Sequence, residues 1–385
     1  MSNKEVIEYL KKSPVFASSL GSKELFHSNI WAYLINQNHR YLTVFFDDYD
    51  YENDEIVEDG VYREHLNMDL IIKTKSNIFV IENKIKSLPR KAQLDEYKSD
   101  LEKSKEFPVP EGTRYYCLTG IPEEKPEFLK DPWKYINYRK IAERIRKITK
   151  EISQDEGESH FSAFALDYSD MIQNLCDLLE SKEKELKDVF YFPQNYENDE
   201  FEEIRRGLRI DDILQKINAD QFTTYVRGQL KVANICGFED HTGYTNQRSL
   251  SEFYFMVGEK DEDDNKSFYL KIGVQIQNTM FRWFAETNNY KIKSEKVFKA
   301  GKASAIRWFF EKKTKGKIAT PIGQEKKTGM TKQYLLFKPM FVYQYYSIDP
   351  EECSIDTLAK TVVSFMKKAE TIKDVYAKKL AENRR

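Results

Sequence analysis

Residues 68–84 have the sequence MDLIIKTKSNIFVIENK, two apolar runs joined by a short polar turn. Runs rich in Ile, Val and Phe with turn residues between them predict a β-hairpin. In such a hairpin Asp69 begins one strand, while Glu82 and Lys84 end the next, so the three charges lie at one end of the sheet. We therefore expect this end to be able to bind a divalent metal ion.

The charged end of this hairpin suits the hydrolysis of a phosphodiester bond. That reaction needs a charge-neutralising metal ion, an activated water molecule and support for a pentacovalent phosphorane. Mg²⁺ prefers oxygen ligands and keeps several waters, so Asp69, Glu82 and the main-chain carbonyl of Asn83 would suffice. Lys84 projects to the same face of the strand as Glu82, where its ammonium could orient the water or stabilise the phosphorane.

The alternative interpretation is a solvated strand end that carries an ion pair, which contributes little to stability. Spacing alone does not decide between the two. Leu70-Ile71-Ile72 and Val80-Ile81 are, however, apolar on both faces, as in a central strand. Because open α/β sheets bind ligands at strand ends, charges in this position favour a functional site.

Two flanking helices carry further candidate residues. Glu24 falls in the first turn of a helix capped by Ser22, where the helix dipole also favours an acid. Gln93 and Tyr97 are four residues apart and share one face of a helix that starts near Pro89. Taken alone, Glu24 is typical of a helix start, and the Gln93–Tyr97 pair is typical of a surface or packing contact.

Together these features resemble the PD-(D/E)XK nuclease superfamily, over roughly residues 20–120. Asp69 matches the motif aspartate and Glu82-Asn83-Lys84 matches its E-x-K, with Met68 in the place of the proline. Glu24 resembles the acidic residue of the first core helix. Residues 93–97 resemble the Q-x-x-x-Y signature of the helix that follows the E-x-K strand.

The resemblance implies a Mg²⁺-dependent nuclease, with Mn²⁺ as a substitute and DNA as the expected nucleic-acid partner. The implied metal ligands are Asp69, Glu82 and the Asn83 carbonyl. The implied catalytic residues are Asp69, Glu82, Lys84, Glu24 and Gln93. Tyr97, Arg90 and Lys91 are expected to contact nucleic acid, and the two basic residues belong to a local cluster of Lys84, Lys86, Arg90, Lys91 and Lys98. The alternative is a non-catalytic module that keeps the scaffold and binds nucleic acid or protein, and assembly as a homodimer is left open.

The order of the predicted elements implies a restriction-endonuclease-like αβββαβ core, an α/β fold with a mixed central sheet flanked by helices. The predicted elements are strands at Ile56–Glu64, Met68–Lys73 and Ile78–Glu82, a helix at Arg90–Lys103 and a strand at Thr113–Thr119. A right-handed crossover makes the last strand parallel to its neighbour. The acidic tract from Asp47 to Glu58 is predicted to be a solvated loop.

At 385 residues the chain is long for one hydrophobic core, and the polar segment Pro193–Asp199 is the candidate domain boundary. We expect a nuclease-like domain over residues 1–192 and a C-terminal α+β domain over residues 200–385 that binds substrate or a partner. The second domain is predicted to contain a largely antiparallel sheet, a helix over Ser294–Lys312 and basic clusters at 312–317 and 326–327.

Composition restricts the class of protein further. Lys plus Arg (61) nearly balance Asp plus Glu (63), so the net charge of -2 gives no global attraction to nucleic acid. Four widely spaced cysteines without a CxxC pair argue against structural zinc and fit a reducing compartment. The sequence has no signal-peptide core and no apolar run near the roughly 18 residues of a membrane span, so we expect a cytoplasmic protein without a membrane partner.

Overall fold

The computed structural model describes residues 2–19, 23–85, 89, 91–108, 114–122, 124–157, 160–191, 199–245, 248–259, 268–287, 319–320, 323–324, 335–337, 341–348 and 354–382. Within these ranges, no helix is both long enough and apolar enough to span a membrane.

The chain divides into two compact units. Unit 1 comprises Met1–Lys182 and Asp199–Ile213, and unit 2 comprises Glu183–Asn198 and Leu214–Arg385. Unit 1 therefore takes up residues 199–213 after the chain has contributed a short segment to unit 2. Each unit has its own sheet, helices and hydrophobic core.

Unit 1 begins with three helices, α1 (Asn3–Lys12), α2 (Pro14–Ser19) and α3 (Lys23–Gln37), and a 3₁₀ helix over His39–Val44. Its remaining elements follow in the order β1 (Ile56–His65), β2 (Met68–Thr74), β3 (Ile78–Lys84), α4 (Lys91–Lys103), β4 (Arg114–Gly120), β5 (Trp133–Asn137), α5 (Tyr138–Glu156), α6 (His160–Glu185) and α7 (Asp199–Glu202). A π-helical turn over Glu203–Gly207 continues α7.

The five strands of unit 1 form one mixed sheet in the order β1–β2–β3–β4–β5. The first three strands are an antiparallel meander, and β4 and β5 run parallel to β3. Burial of β2 and β3 on both faces explains why their sequences are apolar runs and not alternating patterns. With α3 before the meander and α4 between β3 and β4, the predicted αβββαβ core and restriction-endonuclease-like fold class are confirmed.

Helix α4 covers the sheet face to which Val80 and Leu118 contribute. Its apolar stripe consists of Leu94, Tyr97 and Leu101, which are all buried in the same core cluster as those strand residues. The spacing of three and four residues places this stripe on one side of the helix. The crossover from β3 to β4 through α4 therefore buries one side of α4 against the end of the sheet that carries the charged residues.

The acidic tract after the 3₁₀ helix was predicted to be a solvated loop, but one of its carboxylates is buried. Asp54 is buried and accepts hydrogen bonds from Thr74 Oγ1 at 2.6 Å, Ser76 N at 3.0 Å and Asn77 Nδ2 at 2.6 Å. These three donors form the turn between β2 and β3. A carboxylate can be buried when donors satisfy it, and here it holds the hairpin turn in place.

Within the described residues, unit 2 contains most of α8 (Asp211–Val232), all of α9 (Ile355–Glu382) and eight strands. The strands are β6 (Glu239–Thr245), β7 (Arg248–Glu259), β8 (Phe268–Gln277), β9 (Met280–Thr287), β10 (Ala319–Thr320), β11 (Gly323–Gln324), β12 (Leu335–Phe337) and β13 (Phe341–Ser347). Six of them form an antiparallel sheet in the order β12–β13–β9–β8–β7–β6, as predicted. The predicted helix over Ser294–Lys312 and the basic clusters at 312–317 and 326–327 lie outside the described residues.

Candidate active site

The register of the β2–β3 hairpin sets the geometry of the charged end. Leu70 pairs with Ile81, so the next residues outward on the two strands are Asp69 and Glu82. The two carboxylates are therefore neighbours on adjacent strands. The sequence places them there because the apolar runs Leu70–Ile72 and Ile78–Ile81 fix the register of the two strands.

Asp69 is held by the backbone of the neighbouring strand. The Asn83 N–H donates a hydrogen bond of 2.7 Å to Asp69 Oδ2. Burial nevertheless raises the pKa of the Asp69 carboxyl group, and the charge of Glu24 raises it further, while the Asn83 N–H and the charge of Lys84 act in the opposite direction. Helix α3 therefore places Glu24 where its charge acts on Asp69.

Glu82 and Lys84 form a buried ion pair. Lys84 Nζ lies 2.6 Å from Glu82 Oε1, and the two side chains are only 9% and 2% exposed. Burial raises the pKa of Glu82 to about 7, the charge of Asp69 raises it as well, and Lys84 lowers it. The pair is therefore buried, whereas the alternative interpretation of the sequence was a solvated ion pair at a strand end.

Helix α4 adds two polar residues beside Glu82. Tyr97 is buried and its hydroxyl donates to Glu82 Oε1 at 3.4 Å, while Gln93 Nε2 donates to the hydroxyl of Tyr97. Burial and the charge of Glu82 raise the pKa of Tyr97, so the phenol keeps its proton. The structure thus places Gln93 and Tyr97 in contact with each other and, through Tyr97, with Glu82.

Of the two basic residues expected to contact nucleic acid, one lies within the described part of the chain. Lys91 is exposed at the start of α4. Arg90 lies outside the described residues.

Comparison with known protein families gives a match to the same region of the chain. Residues 15–169, which contain every element from α3 to β5, match the family model of the PD-(D/E)XK nuclease superfamily. This segment belongs to that superfamily. No match was found among curated proteins or solved structures.

The PD-(D/E)XK segment contains a polar network that sequence reasoning missed. The Asn83 side chain donates to the Glu24 carbonyl at 2.7 Å and to Ser28 Oγ at 3.3 Å, and it accepts from Thr119 Oγ1 at 3.2 Å and from the Tyr138 hydroxyl. Ser28 Oγ also donates to the Glu24 carbonyl at 3.1 Å. Because these partners lie 36 to 59 residues from Asn83 in the chain, no local sequence pattern indicates the network.

The donor set of this PD-(D/E)XK segment fits a divalent cation bound by few protein ligands. Glu82 Oε2 is buried and has no hydrogen-bond partner among the described residues. A buried carboxylate oxygen without a donor, next to a second carboxylate, is an unfavourable arrangement that a cation would stabilise. In the part of the chain that the structure describes, no three His, Cys, Asp or Glu side chains are grouped to hold a metal ion. Asp69 and Glu82 are therefore the candidate side-chain ligands, and the Asn83 carbonyl stays a predicted third ligand.

Proposed function

We propose that this protein is a Mg²⁺-dependent nuclease that hydrolyses phosphodiester bonds of DNA, using Asp69, Glu82 and Lys84. The observation that carries this proposal is the pair of adjacent carboxylates, Glu82 buried and Asp69 half-buried, with the Lys84 ammonium 2.6 Å from Glu82. Two carboxylates on adjacent strands, one of them buried, repel each other at a cost in free energy, and a cation bound between them would offset that cost. Membership of residues 15–169 in a nuclease superfamily supports the same chemistry.

Asp69 and Glu82 would hold Mg²⁺, or Mn²⁺ as a substitute, together with the Asn83 carbonyl. When bound, the ion supplies Lewis-acid stabilisation of the phosphate charge and lowers the pKa of water. The Asn83 N–H fixes the orientation of Asp69 through its 2.7 Å hydrogen bond. Tyr97 and Gln93 fix Glu82 in the same way from the side of helix α4.

Lys84 can serve the reaction because its ammonium has three donors and only one carboxylate oxygen of Glu82 is paired with it. The remaining donors would orient the attacking water or stabilise the charge on the phosphorane. Glu24 adds a carboxylate near Asp69, in a position to accept a proton or a hydrogen bond from water. Lys91, at the start of α4, and its neighbour in the sequence, Arg90, would bind the phosphates of the nucleic acid backbone.

We infer a cytoplasmic location, because the described cysteines Cys117, Cys176 and Cys236 are free thiols. We further propose that unit 2 binds the substrate or a protein partner, and that a second copy of the chain is one such partner.

The catalytic roles can be tested by substitution. Asp69→Ala and Lys84→Ala should each lower Mg²⁺-dependent cleavage by about 100-fold or more, because each removes a group that stabilises charge in the transition state. Release of fragments from end-labelled single-stranded and double-stranded DNA measures this loss. Asp50→Ala and Lys75→Ala change exposed residues of the same unit and serve as matched controls. Metal-dependent cleavage that survives in both Asp69→Ala and Lys84→Ala would refute the mechanism.

Calorimetry separates this function from a non-catalytic binding module. Titration of the purified protein with MgCl₂ or MnCl₂ should show binding that is lost in Asp69→Ala and in Glu82→Gln. Binding of DNA without any metal binding that depends on these two residues would favour the module over the enzyme.

A further inference from the structure

We propose that the side chain of Asn83 is a positioning element of the site, which holds the start of helix α3, and with it Glu24, against the charged end of the β2–β3 hairpin. The inference rests on the proposed function and deepens it. It concerns the side-chain carboxamide of Asn83, whereas the predicted metal ligand is the main-chain carbonyl of the same residue.

Asn83 lies between Glu82 and Lys84 on β3, so its side chain projects to the opposite face of the sheet. Asn83 is 1% exposed. On this face the carboxamide meets helix α3 on one side and helix α5, through Tyr138, on the other. The carboxamide also contacts Thr119 of β4, so it lies where two strands and two helices of unit 1 converge.

The contacts of the carboxamide match the hydrogen-bonding capacity of asparagine. Its Nδ2 group donates to the Glu24 carbonyl at 2.7 Å and to Ser28 Oγ at 3.3 Å, which uses both N–H donors. Its Oδ1 accepts from Thr119 Oγ1 at 3.2 Å and from the Tyr138 hydroxyl, which uses both lone pairs. Aspartate would lack the donors, and leucine would lack all four contacts, so neither satisfies the position.

The same residue also contacts the site through its main chain. The Asn83 N–H donates to Asp69 Oδ2 at 2.7 Å, while its side chain holds the Glu24 carbonyl at 2.7 Å. One residue therefore links the carboxylate of the hairpin to the helix that carries Glu24. Because catalytic groups must be held within a fraction of an ångström of their working geometry, this link fixes the distance between Glu24 and Asp69.

The test uses the full-length protein with Asn83→Leu, which keeps the approximate volume and removes the hydrogen bonds, and Tyr138→Phe, which removes one of them from the partner side. Calorimetric titration with MnCl₂ measures metal affinity, and single-turnover cleavage of DNA at saturating Mn²⁺ measures the rate. We expect Asn83→Leu to lower affinity or rate by about 10-fold or more, and Tyr138→Phe to cause a smaller loss in the same direction.

A matched control distinguishes positioning from general loss of stability. Tyr41 is as buried as Tyr138, and its hydroxyl is 2.8 Å from Thr149 Oγ1. Tyr41→Phe should lower the unfolding temperature about as much as Tyr138→Phe and leave metal affinity and rate unchanged. Equal effects of the two tyrosine variants on affinity and rate would overturn the inference, and this comparison stands even if Asn83→Leu does not fold.

A double-mutant cycle tests whether Asn83 acts through Glu24. In a Glu24→Gln background the effect of Asn83→Leu should fall to less than about 2-fold, because the residue it positions is already disabled. Undiminished loss in that background would overturn the inference. If wild-type protein binds Mn²⁺ at an Asp69-dependent site and the Asn83 and Tyr138 variants bind and cleave normally, the inference fails and the proposed function stands. If wild-type protein shows no such binding and no cleavage, the proposed function fails and the inference falls with it.

Discussion

The ionisation of Glu82 depends strongly on the groups that surround it in the site. Burial and the charge of Asp69 raise its pKa from 4.5 to about 7. A carboxyl group that is easier to protonate in the folded than in the unfolded chain stabilises the fold at low pH. Its contribution is complete below the unfolded pKa and is lost as the pH rises through the folded pKa.

In the metal-free protein, the contribution of Glu82 to the free energy of unfolding should therefore decrease between about pH 4.5 and pH 7. Glu82→Gln should reduce this decline, because the amide cannot ionise. Urea unfolding in the presence of a chelator at several pH values measures it. Glu96→Gln, an exposed change on α4, is the matched control. An equally steep decline in Glu82→Gln and in wild type would show that another group is responsible.

Among the structural elements, the β2–β3 hairpin depends on a residue outside it. Asp54 accepts three hydrogen bonds from the turn, from Thr74, Ser76 and Asn77. Asp54→Ala should remove these three hydrogen bonds, one of them from the buried hydroxyl of Thr74, and lower the free energy of unfolding by about 2–4 kcal/mol. Chemical denaturation of the full chain measures the loss.

The same tract provides the control for Asp54. Asp50 is exposed and its side chain accepts hydrogen bonds from Asn53, three residues away. Asp50→Ala should change stability by no more than about 0.5 kcal/mol. Comparable losses in the two variants would mean that the negative charge of the tract, and not the hydrogen bonds of Asp54, stabilises unit 1.

The sequence predicts the elements whose signals are local. The apolar runs of β2 and β3, the helical spacing of Leu94, Tyr97 and Leu101, and the β-rich segment of β4 each appear within one stretch of chain. Strand β5 was missed because Trp133–Asn137 is only five residues long and follows a proline-rich loop. Its partner is β4, with which it pairs in parallel, and such pairing leaves no local pattern. Helix α8 was missed although Asp211 and Asp212 in its first turn, followed by apolar residues, did indicate a helix start.

For the site, the hairpin pattern predicts that Asp69, Glu82 and Lys84 lie together, because strand register follows from the apolar residues. Their roles stay predictions until the substitutions are made. Tyr138 and Thr119 could not be predicted, because their contact with Asn83 depends on how α5 and β4 pack in three dimensions. Tyr97 was expected to point towards the site and the nucleic acid backbone; its hydroxyl contacts Glu82, and its contact with nucleic acid stays a prediction.

At the scale of the whole molecule, two cores predict two unfolding transitions. Mn²⁺ at 100 times its dissociation constant should stabilise unit 1 alone, by about 2.7 kcal/mol, because the candidate ligands lie in that unit. Differential scanning calorimetry with and without MnCl₂ should show one transition moving to higher temperature and the other unchanged.

Two variants assign these transitions. Asp69→Ala should abolish the Mn²⁺-dependent shift. Met366→Ala, in the core of unit 2, should lower the free energy of unfolding of that unit by about 2–5 kcal/mol, so the other transition moves to lower temperature. A single transition that moves as a whole with Mn²⁺ would show that the two units unfold together.

The return of the chain to unit 1 has a consequence for biosynthesis. Residues 199–213 supply the buried side chains Phe201, Ile204 and Leu208 and an ion pair of 2.7 Å between Glu200 and Lys182. A ribosome adds about 5–20 residues per second, so the 31 residues from 183 to 213 take about 2–6 s. During that interval the apolar surface of unit 1 that these three side chains will cover is exposed, and exposed apolar surface promotes aggregation and chaperone binding.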